Sequence, residues 1–290
     1  MAAAEIFALA GGGTLAYEEL RAAPGAGAAG PCFLLAPAMG DLRASFRLLA
    51  PLLLEAGARR VVSCDLRGAG GSSADFASYT PLDTGRDLAE LARGLALDDL
   101  VLVGNSMAAA SAAWAAAELR KAAGAVRVRG VVMLCPFAWD HPMPFGVATA
   151  LGVLLADCWG AAMWRDYVRG LYKQPPADVA AHLAALRANL AQPGRMRALR
   201  GQVFGLKLPC AERMPELAAA RVPVLAVWGA KDPDFADIEV ERREMLRRLP
   251  QAATAVAPGA GHYVQAEAPR LVADEIAKWL AAAGVEAGAV

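Results

Sequence analysis

The chain has no excess of charge of either sign, since its 290 residues include 29 Lys and Arg and 29 Asp and Glu. It also has no isolated block of basic residues. The arginines between 242 and 248 alternate with Glu241 and Glu244, a pattern typical of the solvated face of a helix. A nucleic-acid-binding protein needs a basic patch or stripe on one face. The charge pattern therefore argues against a nucleic-acid partner.

Cysteine motifs and targeting segments are also missing. The five cysteines form no CxxC pair and have no metal-ligand spacing. We therefore expect buried thiols in a reducing compartment, the cytoplasm, and neither a metal nor an organic cofactor. Residues 1–20 lack the basic and apolar regions of a secretory signal. The most apolar stretch, at 145–156, is too short to span a bilayer, so we expect a buried or pocket-lining helix there.

Short apolar runs alternate with helical stretches along much of the chain, in which 57% of residues are hydrophobic. The runs predict strands at about 14–19, 32–36, 60–65, 99–103, 130–135, 223–228 and 252–257. Helices are predicted at about 45–56, 83–96, 107–120, 237–248 and 269–282. Apolar strands alternating with helices indicate a parallel sheet covered on both faces. We therefore predict an α/β fold with a mostly parallel sheet between two helical layers.

The alternation stops between 137 and 221, where prolines and helical stretches occur without a convincing strand. An insertion of this size predicts a helical cap over the carboxyl edge of the sheet, where open α/β folds bind their ligands. The predicted organisation is a core at 1–136, a cap at 137–221 and the rest of the core at 222–290. The oligomeric state stays open.

A candidate nucleophile lies where a predicted strand meets a predicted helix. A serine reacts at neutral pH only with a base beside it, and hydrolases place it on a sharp strand-to-helix turn flanked by small residues. Ser106 has this context, because Gly-Asn-Ser-Met-Ala at 104–108 follows an apolar strand and opens an Ala-rich helix. Ser72 has a similar short motif, but no helix follows it. Ser106 is therefore the predicted nucleophile.

The base is predicted from only three histidines. His262 follows the last predicted strand, where a loop can reach back to the serine. His141 is either structural or pocket-lining, and we expect His182 to be a surface residue of a cap helix. The orienting acid should follow the preceding strand, where Asp232 comes first and Asp234 and Asp237 are its alternatives.

With these residues in place, the chain resembles the α/β-hydrolase superfamily over nearly its whole length. The resemblance includes the 104–108 turn, the Gly-x-x-Asp-Pro turn at 229–233, the Gly-His pair at 261–262 and the Asp-Leu-Arg-Gly-x-Gly-x-Ser loop at 65–72. The chain order Ser, Asp, His agrees as well. The resemblance implies an oxyanion hole formed by the backbone N–H groups of Met107 and Met39. The Met39 loop departs from the family pattern, because Pro37-Ala38 replaces the common His-Gly pair.

These features predict a serine hydrolase that transfers an acyl group from a small-molecule ester to water. The aromatic and Met-rich cap predicts a mainly apolar, uncharged substrate, bound by residues that we expect to line the pocket: Phe137, Trp139, Met143, Trp159, Trp164 and Tyr263. Three alternatives stay open. They are a hydrolase that cleaves carbon–carbon bonds of ring-fission products, a cofactor-free haloperoxidase or perhydrolase side activity, and a ligand receptor without turnover.

Overall fold

An eight-stranded sheet forms the centre of the molecule. The computed structural model describes residues 4–23, 30–121, 126–141 and 145–287. The strands are β1 (Glu5–Ala8), β2 (Thr14–Arg21), β3 (Cys32–Ala36), β4 (Arg60–Cys64), β5 (Leu100–Asn105), β6 (Val128–Leu134), β7 (Val224–Gly229) and β8 (Ala252–Ala257). Their order is β1-β2-β4-β3-β5-β6-β7-β8, antiparallel at β1–β2 and β2–β4 and parallel elsewhere. This arrangement confirms the predicted α/β class.

Helices cover the sheet. They are α1 (Leu49–Glu55), α2 (Pro81–Gly94), α3 (Met107–Lys121), α4 (Phe145–Leu154), α5 (Gly160–Leu171), α6 (Val179–Leu190), α7 (Arg195–Val203), α8 (Leu208–Ala211), α9 (Met214–Ala219), α10 (Ile238–Arg248), α11 (Val264–Glu267) and α12 (Pro269–Ala287). Every residue of β3, β5 and β7 is buried, which requires cover on both faces. No helix in the described ranges has the length and apolar character needed to cross a membrane.

Helices α4 to α7 lie between β6 and β7, within the predicted cap. Buried apolar residues of α5, α6 and α7 form a cluster of their own, which also takes in Ala38 and Tyr263 from the core loops. By contrast, α8 and α9 pack against α3, and Met214 and Leu217 belong to the main core. These two helices of the segment 137–221 therefore pack with the core, and the cap boundary at 221 stays a prediction.

The six parallel strands end at one edge of the sheet, and five loops leave that edge near each other. They follow β3, β5, β6, β7 and β8, and hold Met39, Ser106, Phe137, Asp232 and His262 respectively. Carboxyl ends of parallel strands share an edge, so side chains far apart in sequence meet there. The sequence analysis did not predict β1, a short edge strand of four residues that is mostly exposed.

Candidate active site

Ser106 stands at a sharp turn between β5 and α3. β5 ends at Asn105, α3 begins at Met107, and Ser106 has a left-handed φ of 58°. Strained backbone of this kind persists only where surrounding structure holds it, often at functional sites. A Cβ on Gly104 would stand 2.2 Å from the carbonyl oxygen of Ala108. Glycine is therefore required at 104, whereas the methyl group of Ala108 is accommodated in the core.

Ser72 has a structural place instead. Its buried hydroxyl donates to the Asp65 carbonyl oxygen at 2.9 Å and accepts from the Ala16 N–H at 3.0 Å. These bonds fasten the loop after β4 to β2. Ser72 is not among the residues that line the cavity at Ser106.

His262 and Asp232 form a buried hydrogen-bonded pair. His262 Nδ1 lies 2.7 Å from Asp232 Oδ2, and Asp232 Oδ1 accepts from the Asp234 N–H at 3.0 Å. Burial disfavours the imidazolium and lowers its pKa, but the charge and hydrogen bond of Asp232 outweigh this effect. The pKa of His262 therefore lies above its ordinary value of 6.5.

The two alternative acids make other contacts. Asp234 Oδ2 is 3.9 Å from His262 Nδ1, and the Asp234 carboxylate accepts from the Tyr167 hydroxyl at 2.8 Å. Asp237 accepts from the Glu239 N–H at 2.8 Å and caps the N-terminus of α10. Of the three carboxylates, that of Asp232 is placed to orient the imidazole.

The turn that contains His262 is fastened from two sides. Asn105 Nδ2 donates to the His262 carbonyl oxygen at 3.3 Å, and the His262 N–H donates to the carbonyl oxygen of Leu171 at the end of α5 at 3.2 Å. The Glu267 carboxylate accepts from four backbone N–H groups, at 261, 263, 173 and 174, over 2.6–3.2 Å. Sequence reasoning missed Asn105 and Glu267, because their partners lie far away in the chain or on the backbone.

The loop after β3 is held by residues of α5 and α7. The Gly40 N–H donates to Gln202 Oε1 on α7 at 2.8 Å, and a Cβ at Gly40 would lie 2.7 Å from Trp164 Nε1. In the described ranges, the N–H groups of Met39 and Met107 donate to no other protein group. Both amides are thus available as donors.

His182 corrects a prediction, because it is buried rather than on the surface. Its Nε2 lies 2.8 Å from Oδ1 of Asp41, a fully buried carboxylate in the loop after β3. Burial lowers the pKa of His182, but the Asp41 charge and hydrogen bond raise it further, so the net shift is upward. The α6 helix is therefore tied to the same loop that Gln202 holds from α7.

A cavity of about 520 Å³ lies between the sheet edge and helices α4, α5 and α7, and Ser106 and His262 both line it. In the described ranges no hydrogen bond joins these two side chains. Most of the wall is apolar, and it includes Met39, Phe137, Leu151, Leu155, Met163, Trp164, Leu171, Val203 and Tyr263. Its polar members include His141, Asp166, Tyr167, Lys207 and Asp234.

The predicted pocket residues divide into three groups. Phe137, Trp164 and Tyr263 line the cavity. Trp139 and Trp159 do not: Trp139 is buried beneath the Arg248 guanidinium, and Trp159 is 49% exposed with its Nε1 donating to the Val153 carbonyl oxygen. Met143 lies outside the described residues. His141, left open between two roles, lines the cavity and places Nε2 3.1 Å from Glu241 Oε1.

Cys135 completes a cluster with Asp232 and His262 whose potential metal-binding atoms lie within 4.8 Å of one another. A thiol binds metal as the thiolate, but burial and the nearby Asp232 charge raise the pKa of Cys135 well above 9.0. His262 Nδ1 and Asp232 are also at hydrogen-bond distance. The cluster is better suited to holding the imidazole than to holding an ion.

Comparison with known proteins gives one family and one fold. A sequence model of the Alpha/beta hydrolase family matches residues 23–275. No curated protein matches the chain. An alpha/beta hydrolase fold protein from Burkholderia ambifaria is similar, with a TM-score of 0.76 and 20% identity over 94% of this chain and 96% of that one.

Two further solved structures have the same fold. A bromoperoxidase from Bacillus anthracis has a TM-score of 0.76 and 17% identity, over 96% of this chain and 99% of that one. A thermophilic esterase from Thermogutta terrifontis has a TM-score of 0.72 and 23% identity, over 97% and 99%. Their different activities leave the reaction to be argued from the site itself.

Proposed function

The chain belongs to the alpha/beta hydrolase family, and from this premise we propose that it is a serine hydrolase of ester-like bonds in small, mainly apolar substrates. One observation carries the proposal. Ser106, in a left-handed strand-to-helix turn, lines the same cavity as His262, whose other ring nitrogen is engaged by Asp232 at 2.7 Å. A serine, a base and an orienting carboxylate together can perform acyl transfer.

The reaction would proceed in two halves. Ser106 Oγ attacks the substrate carbonyl carbon while His262 Nε2 takes its proton, and Asp232 stabilises the imidazolium. His262 then returns the proton to the leaving alcohol, which departs and leaves an acyl ester on Ser106. Water, deprotonated by His262, attacks this ester and releases the carboxylic acid and free Ser106.

Proton transfer requires Ser106 Oγ and His262 Nε2 to come within about 2.6–3.2 Å. This contact is often longer in free enzymes and tightens when substrate binds. The oxyanion of each tetrahedral intermediate would accept from the N–H groups of Met39 and Met107, which donate to no other described group. Each such donor is worth about 3 kcal/mol in comparable sites.

Covalent labelling tests the proposal. A fluorophosphonate should label the protein on the peptide that contains Ser106, as read by mass spectrometry. Ser106→Ala should lose the label and reduce ester turnover by about 10⁴-fold or more. Ser72→Ala is the matched control and should keep the label. A label that persists in Ser106→Ala would refute Ser106 as the nucleophile.

The apolar wall supports the proposed substrate class. Burial of one methylene contributes about 0.8 kcal/mol, or about fourfold in binding. Values of kcat/KM for 4-nitrophenyl esters should therefore rise from acetate to about hexanoate. If kcat/KM did not change along the series, the apolar residues of the wall would serve packing rather than substrate binding.

The alternative functions give different outcomes in these assays. A ligand receptor would label at Ser106 without sustained turnover. A carbon–carbon hydrolase would turn over a ring-fission diketone faster than any ester of the series. Halide oxidation that requires acetate, hydrogen peroxide and Ser106 together would indicate the haloperoxidase activity, because the site would then transfer an acetyl group to hydrogen peroxide and the released peracid would oxidise the halide.

A further inference from the structure

Lys207 is a mostly buried cation on the cavity wall, and no described residue forms a direct ion pair with it. It lies at the N-terminus of α8, lines the cavity that contains Ser106, and is only 9% exposed. In the described ranges, its ammonium group makes no hydrogen bond or ion pair. The nearby Asp140 carboxylate accepts instead from the backbone N–H groups of Lys207 and Leu208, at 2.9 and 2.8 Å. That carboxylate is therefore occupied by the backbone.

This placement is unfavourable for a lysine in the free protein. Lysines are rarely this buried unless they are paired, and the Lys207 ammonium has only its remaining contact with solvent in place of a partner. Burial lowers the pKa of Lys207, and the more distant Asp140 charge offsets only part of this effect. A leucine or methionine would fill the same wall at lower cost. The position therefore suits a partner that arrives with the substrate.

The other ionisable groups on the wall already have partners. Asp166 pairs with Arg165 at 2.8 Å, and Asp234 accepts from Tyr167 and lies 3.9 Å from His262. His141 is bonded to Glu241. Among the described residues of the wall, Lys207 is thus the one charged group without a direct hydrogen bond or ion pair.

We propose that Lys207 binds a carboxylate of the substrate, so that the physiological substrate is an ester with an apolar body and one acidic end. The proposal rests on the serine hydrolase function above and replaces the uncharged substrate expected from the sequence. A single ammonium neutralises a single negative charge. A phosphate would bring up to two negative charges, so Asp166 and Asp234 on the same wall would repel it more strongly than a carboxylate.

Paired substrates test the assignment. One pair is mono-(4-nitrophenyl) glutarate and 4-nitrophenyl pentanoate, which differ by a terminal carboxylate on the acyl side. A second pair, 4-butyryloxybenzoate and phenyl butyrate, places the carboxylate on the leaving group. The quantity measured is the ratio of kcat/KM for the acidic ester to that for the neutral ester, which cancels general losses of activity or folding.

The wild-type protein should favour the acidic member of at least one pair, mainly through KM. Lys207→Met should lower that ratio by about 10- to 100-fold, the usual range for a hydrogen bond to a charged group. Lys207→Arg should retain most of the ratio, because it keeps the charge. Lys278→Met on α12 is the matched control and should leave the ratio unchanged, since Lys278 is exposed and pairs with Glu275.

Two failures can be told apart. Active wild-type enzyme with no acidic preference, or a ratio unchanged by Lys207→Met, would overturn the role of Lys207 and leave the serine hydrolase standing. Absence of turnover for all four esters, together with absence of fluorophosphonate labelling at Ser106, would overturn the proposed function and this inference with it.

Discussion

Asn105 donates from Nδ2 to the backbone carbonyl oxygen of His262 at 3.3 Å, so the residue before Ser106 holds the turn that contains the imidazole. The same Nδ2 donates to the Leu134 carbonyl oxygen at 3.0 Å, and Asn105 Oδ1 accepts from Gln265 Nε2 at 3.0 Å. Asn105 and Gln265 are fully buried. The separation of serine and imidazole is thus set by a side chain that does not itself react.

Replacement of Asn105 should reduce kcat more than its effect on stability explains. Asn105→Leu removes the link between the two turns, and a displacement of about 1 Å can cost on the order of 100-fold in rate. We expect kcat to fall about 10- to 100-fold with little change in KM. Ser111→Ala is the matched control, since it removes a buried hydrogen bond of α3 to Pro81 away from the cavity. Equal kcat losses in the two variants would show that Asn105 acts through stability alone.

Replacement of the three candidate acids should lower kcat to very different extents. Asp232→Asn should lower kcat by about 10⁴-fold, because an amide favours the wrong tautomer of His262. Asp234→Asn should have a much smaller effect, since Asp234 is 3.9 Å from Nδ1 and bonds Tyr167. Asp237→Asn should leave kcat nearly unchanged, because Asp237 caps α10 and an asparagine caps a helix about as well. Comparable kcat losses at Asp232 and Asp234 would contradict the assignment of the acid.

The pH profile should report the raised pKa of His262. A protonated imidazole cannot accept the Ser106 proton, so kcat/KM should decline as pH falls through a value above 6.5. Asp232→Asn removes the charge that raises this pKa, and the acidic limb should then move to lower pH. Neutral esters assayed between about pH 5 and 9 measure both shifts. A wild-type midpoint below 6.5 would disagree with the buried pair.

The Gln202 contact with Gly40 should support the oxyanion loop. Gln202→Leu removes the bonds to the Gly40 N–H at 2.8 Å and the Arg67 carbonyl oxygen at 3.2 Å. Loosening the loop that carries the Met39 N–H should lower kcat less than deleting an oxyanion donor would. We therefore expect kcat to fall by about tenfold. Gln251→Leu is the control, because the Gln251 side chain likewise makes two hydrogen bonds to the backbone, donating to two carbonyl oxygens away from the cavity. If both changes lowered kcat equally, Gln202 would have no specific role in supporting the oxyanion loop.

The sequence predicted the features that depend only on neighbouring residues in the chain. The apolar run before Ser106 and the small residues around it predict a strand, a tight turn and a helix, and the structure has all three. His182 was assigned to the surface because its partner, Asp41, is 141 residues away and belongs to another element. Trp159 was assigned to the pocket by residue type, although the direction of its side chain depends on helix packing. Lys207 gave no local pattern at all, since its importance depends on the apolar surfaces assembled around it.

The attachment of α5, α6 and α7, the helices of the predicted cap, has a consequence for recombining this protein with its relatives. Residues of α5, α6 and α7 bond directly to the loops that contain His262, Asp41 and Gly40. A chimera that receives a foreign cap would lose these anchors even if the splice points lay in exposed loops. To transfer substrate specificity between two such proteins, the side chains of the sheet-edge loops that bond to these helices would have to be transferred with them. In a chimera, the helices α5 to α7 and the loops that they bond should therefore be exchanged together.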